Sequence, residues 1–191
     1  MQAIYDFLYE PGIPLKAMGI LVGLWLVLSH GFALLKPDAV KARLKAFPRN
    51  EKAGIVLVTI GFAWAYIIWS CMDLGDFFKV ERMGQLVIVG MCIGVIVYVK
   101  EFLAVRALGF LMILAAAPML ESAFLKEPQS RLLLVVFAYA IAVKGMFWVG
   151  MPYLLRDQVA WATAKENRFR IGAVAGAAYG LILIGCALVA W

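Results

Sequence analysis

The 191 residues are 65% hydrophobic and 16% charged, with a formal net charge of +6, where a soluble domain averages roughly 45–50% apolar and about 25% charged. That excess cannot be buried in one water-soluble core. It comes in runs close to the roughly 20 residues with which a helix crosses a hydrocarbon layer of about 30 Å, so composition excludes a soluble domain and predicts an integral membrane protein with no nucleic-acid partner.

The opening segment MQAIYDFLYEPGIPLK carries Asp6 and Glu10, whereas a cleaved signal would begin basic and hold only a short apolar stretch. The first span is read as Ala17–Leu35, long enough to stay in the membrane. Gly19 and Gly23 stand four apart on it, a spacing that lets a neighbouring backbone approach. His30, the one histidine, lies near the far end of this span beside Ser29 and Gly31. One histidine rules out a haem held by two and a His-rich metal cluster. It leaves proton relay, single-His ligation, or a helix-end ring bonded to a carbonyl. The stretch GLWLVLSHGFALLKPD (Gly23–Asp38) resembles the first helix of DoxX-type small membrane proteins. The likeness covers under a tenth of the chain, and the span count departs from that family's, so no function is carried across.

In PDAVKARLKAFP (Pro37–Pro48), Val40, Leu44 and Phe47 recur at helical spacing with Lys41, Arg43 and Lys45 between them. Asp38 can cap the first turn and Pro48 stops the run. The pattern predicts a short helix on the lipid surface, beside the plainer reading of an ordinary basic loop. The second span is Ala53–Cys71. After it, Met72–Arg82 packs Asp73, Asp76, Lys79, Glu81 and Arg82 into one short solvated turn.

The third span, Met83–Val99, is short and carries Gly90 and Gly94. The fourth, Phe102–Phe124, is interrupted near its start by Arg106, although a long basic side chain near a helix end can reach the interface. Glu101 and Arg106 suggest a charge cluster at that end. Near the other end Pro118 frees a carbonyl, and Glu121 is read either as lining a vestibule or as an acid in interfacial water.

The fifth span is read as Leu132–Leu155, which makes Lys144 the thirteenth of its twenty-four residues. A lysine at a helix centre costs about 2.5–3.5 kcal/mol on insertion, so it must find an acid, face water or lose its proton. Both an anion- or proton-handling site and a structural hydrogen bond or subunit contact fit. The sixth span, Ile171–Trp191, repeats glycine at Gly172, Gly176 and Gly180. The first, third and sixth helices are therefore expected to make the tight contacts, within the chain or with another subunit.

Orientation follows from the cations. Twelve of the eighteen Lys and Arg fall in Lys36–Lys52, Lys100–Arg106 and Arg156–Arg170, five on the opposite side, and Lys144 on neither. The positive-inside rule then puts the first set in the cytoplasm and both termini outside. The three basic connections resemble one another, each leading into a glycine-led helix (Gly54, Gly109, Gly172), which suggests three hairpins in parallel repeat. A coincidence of basic loops and glycine starts is the other reading.

Cys71, Cys92 and Cys186 are too scattered for a metal or redox pair. Nucleophile-elbow, zinc-protease and P-loop signatures are absent, no cofactor is implied, and loops long enough to carry an active site are missing. The sequence therefore points to an all-α six-span bundle of the inner membrane, non-catalytic, an accessory or scaffold subunit whose partners are lipid, other subunits or its own copies. The alternatives are a small anion- or proton-coupled transporter with Lys144 at the midplane and, more weakly, a lipid-modifying enzyme inside the bundle.

Overall fold

The structure is a computed structural model that describes residues 1–10, 12–72, 75 and 80–191. Among these residues the secondary structure is helical, with no strand. Helix α1 (Gln2–Tyr9) precedes the first long helix, α2 (Leu15–Leu35). Next come α3 (Pro37–Ala46), a single turn at Phe47–Arg49, and α4 (Glu51–Cys71). Then α5 (Glu81–Tyr98), α6 (Leu103–Ala123), α7 (Arg131–Gly150), α8 (Tyr153–Thr163) and α9 (Glu166–Val189) complete the chain. Six of them, α2, α4, α5, α6, α7 and α9, are long and apolar enough to cross a membrane, and the chain is a multi-pass membrane protein. The charged turn expected at Asp73, Asp76 and Lys79 lies outside the described residues.

Local chemistry sets most boundaries. Pro37 occupies the first turn of α3, where its missing N–H costs nothing, and Lys41 sits 3.8 Å from Asp38 one turn away. The short basic helix expected at Pro37–Pro48 is present. Asn50 caps α4, its Oδ1 accepting from Ala53 N at 3.1 Å. The fifth span differs from the expected Leu132–Leu155: α7 stops at Gly150 and a separate helix begins at Tyr153. Pro152 lacks the donor that would continue the ladder and drives the preceding residue out of the helical region; Met151 sits at φ −127°, ψ 72°. Hydropathy read across this break because Met151, Tyr153, Leu154 and Leu155 are all apolar.

Packing departs from the hairpin expectation. The three basic connections do gather at one end, here called the basic end: α3 packs on α8, and the Phe47 turn packs on α6. Yet the principal pairs are α2 with α9, α6 with α7, α4 with α6 and α4 with α5. None of these joins the two arms of a basic-end hairpin. Helix α6, the span that Arg106 interrupts near its start, is the hub, touching α7, α4, α2 and α1. Its Ala104, Val105, Ala107, Gly109, Ala116, Pro118 and Ala123 are buried, and small side chains are what a helix needs when neighbours press on several sides. Helix α5 is the opposite case, packed along α4 with no buried residue.

Two crossings bring backbones into contact. A Cβ built on Gly23 would lie 2.7 Å from Gly180 O, and one on Gly180 would lie 2.7 Å from Gly23 O. Gly109 and Gly145 face each other in the same reciprocal way, at 2.6 Å in each direction. Gly19 is covered by the Trp191 ring and Gly176 by the His30 ring. Gly90, Gly94 and Gly172 meet nothing within 4 Å. The tight contacts thus involve the first and sixth spans as expected, whereas Gly90 and Gly94 of the third face open space, only its Gly84 being covered, by the Trp69 ring, and the fourth and fifth spans supply the other crossing.

Candidate functional site

Ending α7 at Gly150 moves Lys144. It becomes the fourteenth of twenty residues, six from the basic end of the helix, or about 9 Å at 1.5 Å per residue. Its neighbour Gly145 faces α6, so one residue of helical rotation turns Lys144 away from that crossing. Its side chain is exposed on the surface of the bundle. It lines an open groove of about 570 Å³ with Tyr139, Ala140, Val143 and Phe147 of α7 and Leu154 and Gln158 of α8. The ammonium stands 4.7 Å from the centroid of the Trp148 ring, a contact worth about 0.5–2 kcal/mol. Trp148 is itself only 6% exposed, and its Nε1 donates to Gln158 Oε1 at 3.3 Å. Among the described residues no ion pair includes Lys144.

The other residues singled out by sequence do not converge on this groove. His30 Nδ1 lies 2.8 Å from Leu26 O. A carbonyl can only accept, so Nδ1 carries the proton and the ring sits as a helix-bonded histidine against α9. Arg106 turns away from Glu101 and donates through Nη1 to Val149 O at 2.8 Å, while its Nε is buried with no partner. Glu101 is exposed and lines a second pocket of about 340 Å³ at the basic end. Arg49, Asn50, Glu51 and Lys100 share that pocket, whose two acids balance its two cations at neutral pH. Five residues apart, Glu101 and Arg106 do not share a helix face, and among the described residues no ion pair joins them.

Glu121 is exposed at the far end of α6, beneath α1, where acidic groups gather. Burial first, then Glu10, Cys71, Asp6 and Glu121 in that order, push the Tyr5 hydroxyl above its ordinary pKa. Tyr9 is raised too, chiefly by burial, against the opposing effect of the Trp64 Nε1 donor 3.2 Å from its oxygen. A phenol whose folded pKa is raised contributes stability that is complete below its unfolded value, about 10, and is lost as pH rises through the folded value. Docking of α1 is therefore expected to hold through neutral pH and loosen above about pH 10. Proteolysis of the α1–α2 connection, compared between wild type and Tyr9→Phe across that range, checks this: Tyr9→Phe gives up the Trp64 hydrogen bond at every pH, but its cutting should rise less than that of wild type above about pH 10.

The side chains that sequence missed are Trp148 and Gln158, which organise the groove, and Gly109 and Gly145 as a facing pair. Gln158 lay in what reads as a loop, and the break at Pro152 was the signal that could have placed it on a helix folded back against α7. Among the described residues no three His, Cys, Asp or Glu side chains come together as a metal site. No family model matches the chain, no curated protein matches it, and no solved structure matches it, so the likeness of Gly23–Asp38 to the DoxX-type first helix gains no support.

Proposed function

We propose that the chain is a non-catalytic subunit, accessory or scaffold, of a larger assembly in the inner membrane. Its basic end lies in the cytoplasm and both termini lie outside. The observation that carries this reading is α5. It is a membrane-length helix with no buried residue, and its Gly90 and Gly94, four apart, meet no atom of the chain. Spacing of four presents a smooth backbone strip on which another transmembrane helix can pack closely. Within this chain that strip is left open, while Gly19 and Gly23 of α2 and Gly176 and Gly180 of α9 are covered.

A transport role draws less support. It needs polar groups converging on one route, and Lys144, Glu121 and His30 stand at three separate places: on the surface of α7, beneath α1, and against α9.

Gentle solubilisation of native membranes, pull-down and mass spectrometry test the proposal. The expected result is a stoichiometric partner, or a defined oligomer, that is lost in Gly90→Leu/Gly94→Leu while the variant's own unfolding midpoint stays unchanged. A wild-type chain that runs as a lone monomer in mild detergent would overturn it. A tag at the C-terminus that is reached only from the cytoplasmic side would overturn the orientation.

A further inference from the structure

The groove beside Lys144 has a shape and a polarity that one class of molecule fits. Its apolar wall, Tyr139, Ala140, Val143 and Phe147, runs along α7, and its polar groups stand at the end where Leu154 and Gln158 of α8 close it. Trp148 organises both polar groups, with its ring under Lys144 Nζ and its Nε1 donating to Gln158 Oε1. An indole N–H can only donate, so Gln158 must present its carbonyl oxygen to Trp148. That leaves both hydrogens of its Nε2 available to an occupant.

Lys144 is exposed on a membrane-spanning helix, so what touches it is lipid or another protein helix. An ammonium at that depth requires an anion or an escape to the interface, and its four-carbon stem shortens the distance of about 9 Å to the helix end. Among the described residues no carboxylate pairs with it. A furrow of this size suits a headgroup and part of an acyl chain, whereas a helix about 10 Å across would meet it only at the rim.

We infer that this groove binds an anionic phospholipid, its phosphate held by Lys144 Nζ and Gln158 Nε2 and an acyl chain laid along Tyr139, Ala140, Val143 and Phe147. The site needs no second subunit, so it stands or falls separately from the assembly role proposed above.

The test uses the purified full-length chain in neutral detergent, titrated with phosphatidylglycerol, with phosphatidylcholine, or with inorganic phosphate. Native mass spectrometry reads bound lipid, and the thermal unfolding midpoint reads stabilisation. Phosphatidylglycerol is expected to stay bound and raise the midpoint, while phosphatidylcholine and free phosphate do neither. Lys144→Met should weaken the apparent affinity for phosphatidylglycerol about fivefold, the worth of one lysine at an anionic lipid surface. Lys144→Arg should keep it. Ala140→Phe fills the furrow and retains the charge, and it should also lose the lipid. Equal retention of the two lipids, unchanged affinity in both Lys144→Met and Ala140→Phe, or saturation by phosphate alone would overturn the inference. So would carbodiimide coupling of Lys144 to a carboxylate of a co-purifying protein.

Discussion

Gly109→Leu and Gly145→Leu are each expected to abolish the folded bundle, and the corresponding alanine variants to cost about 1–3 kcal/mol, the usual range for forcing atoms into a filled site. The reason is what a new Cβ would meet. At either position it lands 2.6 Å from the backbone oxygen of the facing glycine, and backbone cannot swing aside as a flexible side chain can. Around Gly145, Ile113 and Met112 already press at 3.1 and 3.2 Å, so the helices must separate. Separation is costly at this place because α6 is the hub on which α7, α4 and α2 are assembled. The control lies in the same chain. Gly90, Gly94 and Gly172 have open space where a Cβ would go, so alanine there should leave the stability of the isolated protein unchanged. Unfolding midpoints in a detergent–denaturant series separate the two classes. The reciprocal geometry further implies that Gly109→Ala and Gly145→Ala together cost less than the sum of the two, since the first already parts the helices. Equal behaviour of Gly109→Ala and Gly172→Ala would sink this account of the crossing.

These two glycines also mark where reading the chain as a sequence stops working. Long apolar runs announce six spans because the bilayer demands a length and tolerates few charges, and the described helices follow those runs to within a few residues at most ends. A run of apolar residues does not report what faces it. Four-residue spacing identified glycine strips on the first, third and sixth spans, and two of those strips meet each other at Gly23 and Gly180. The strip on the third meets nothing within the chain, and its sequence looks no different. Gly109 and Gly145 have no glycine four residues away on either side, so a search for paired small residues passes over them. Their role exists only once the two helices are placed side by side.

Lys144 shows a different failure. Its depth was set by the assumed end of the fifth span, and that end moved by five residues, from Leu155 to Gly150, because of Pro152. Proline after a long apolar run is a stop signal in a soluble helix and equally one here. Hydropathy masked it because the helix that follows opens on Tyr153, Leu154 and Leu155 and so continues the apolar pattern. Lys144 stands six residues from the basic end of α7, on the surface of the bundle, and the partner of its supporting indole, Gln158, comes into view only with α8.

Arg106→Met should destabilise the bundle by about 1–2 kcal/mol, the cost of leaving a part-buried carbonyl unpaired, even though it removes a charge from a membrane-spanning helix. Where α7 stops, the Val149 carbonyl has lost the continuing helix that would supply its donor, and Arg106 Nη1 supplies it from α6 at 2.8 Å. The opposite end of the pair repeats the device in mirror order: Arg131 Nη1, at the start of α7, donates to Ala123 O at the end of α6 at 2.9 Å. In an antiparallel pair the start of each helix lies beside the end of the other, so one arginine per helix closes its neighbour's last turn, where a cation also meets the negative end of the helix dipole. The partnerless Nε of Arg106 offsets part of the gain, which keeps the expected loss toward the low end of the usual range. Arg106→Lys reaches with a single charged group in place of the fork and should recover part of the stability. Lys144→Met, which removes an equal charge from the neighbouring helix together with its contact on the Trp148 ring but frees no carbonyl, should lower the midpoint in lipid-free detergent by less. If Arg106→Met were as stable as Lys144→Met under those conditions, the arginine would be an interfacial charge and nothing more, and the end of α7 would owe its position to Pro152 alone.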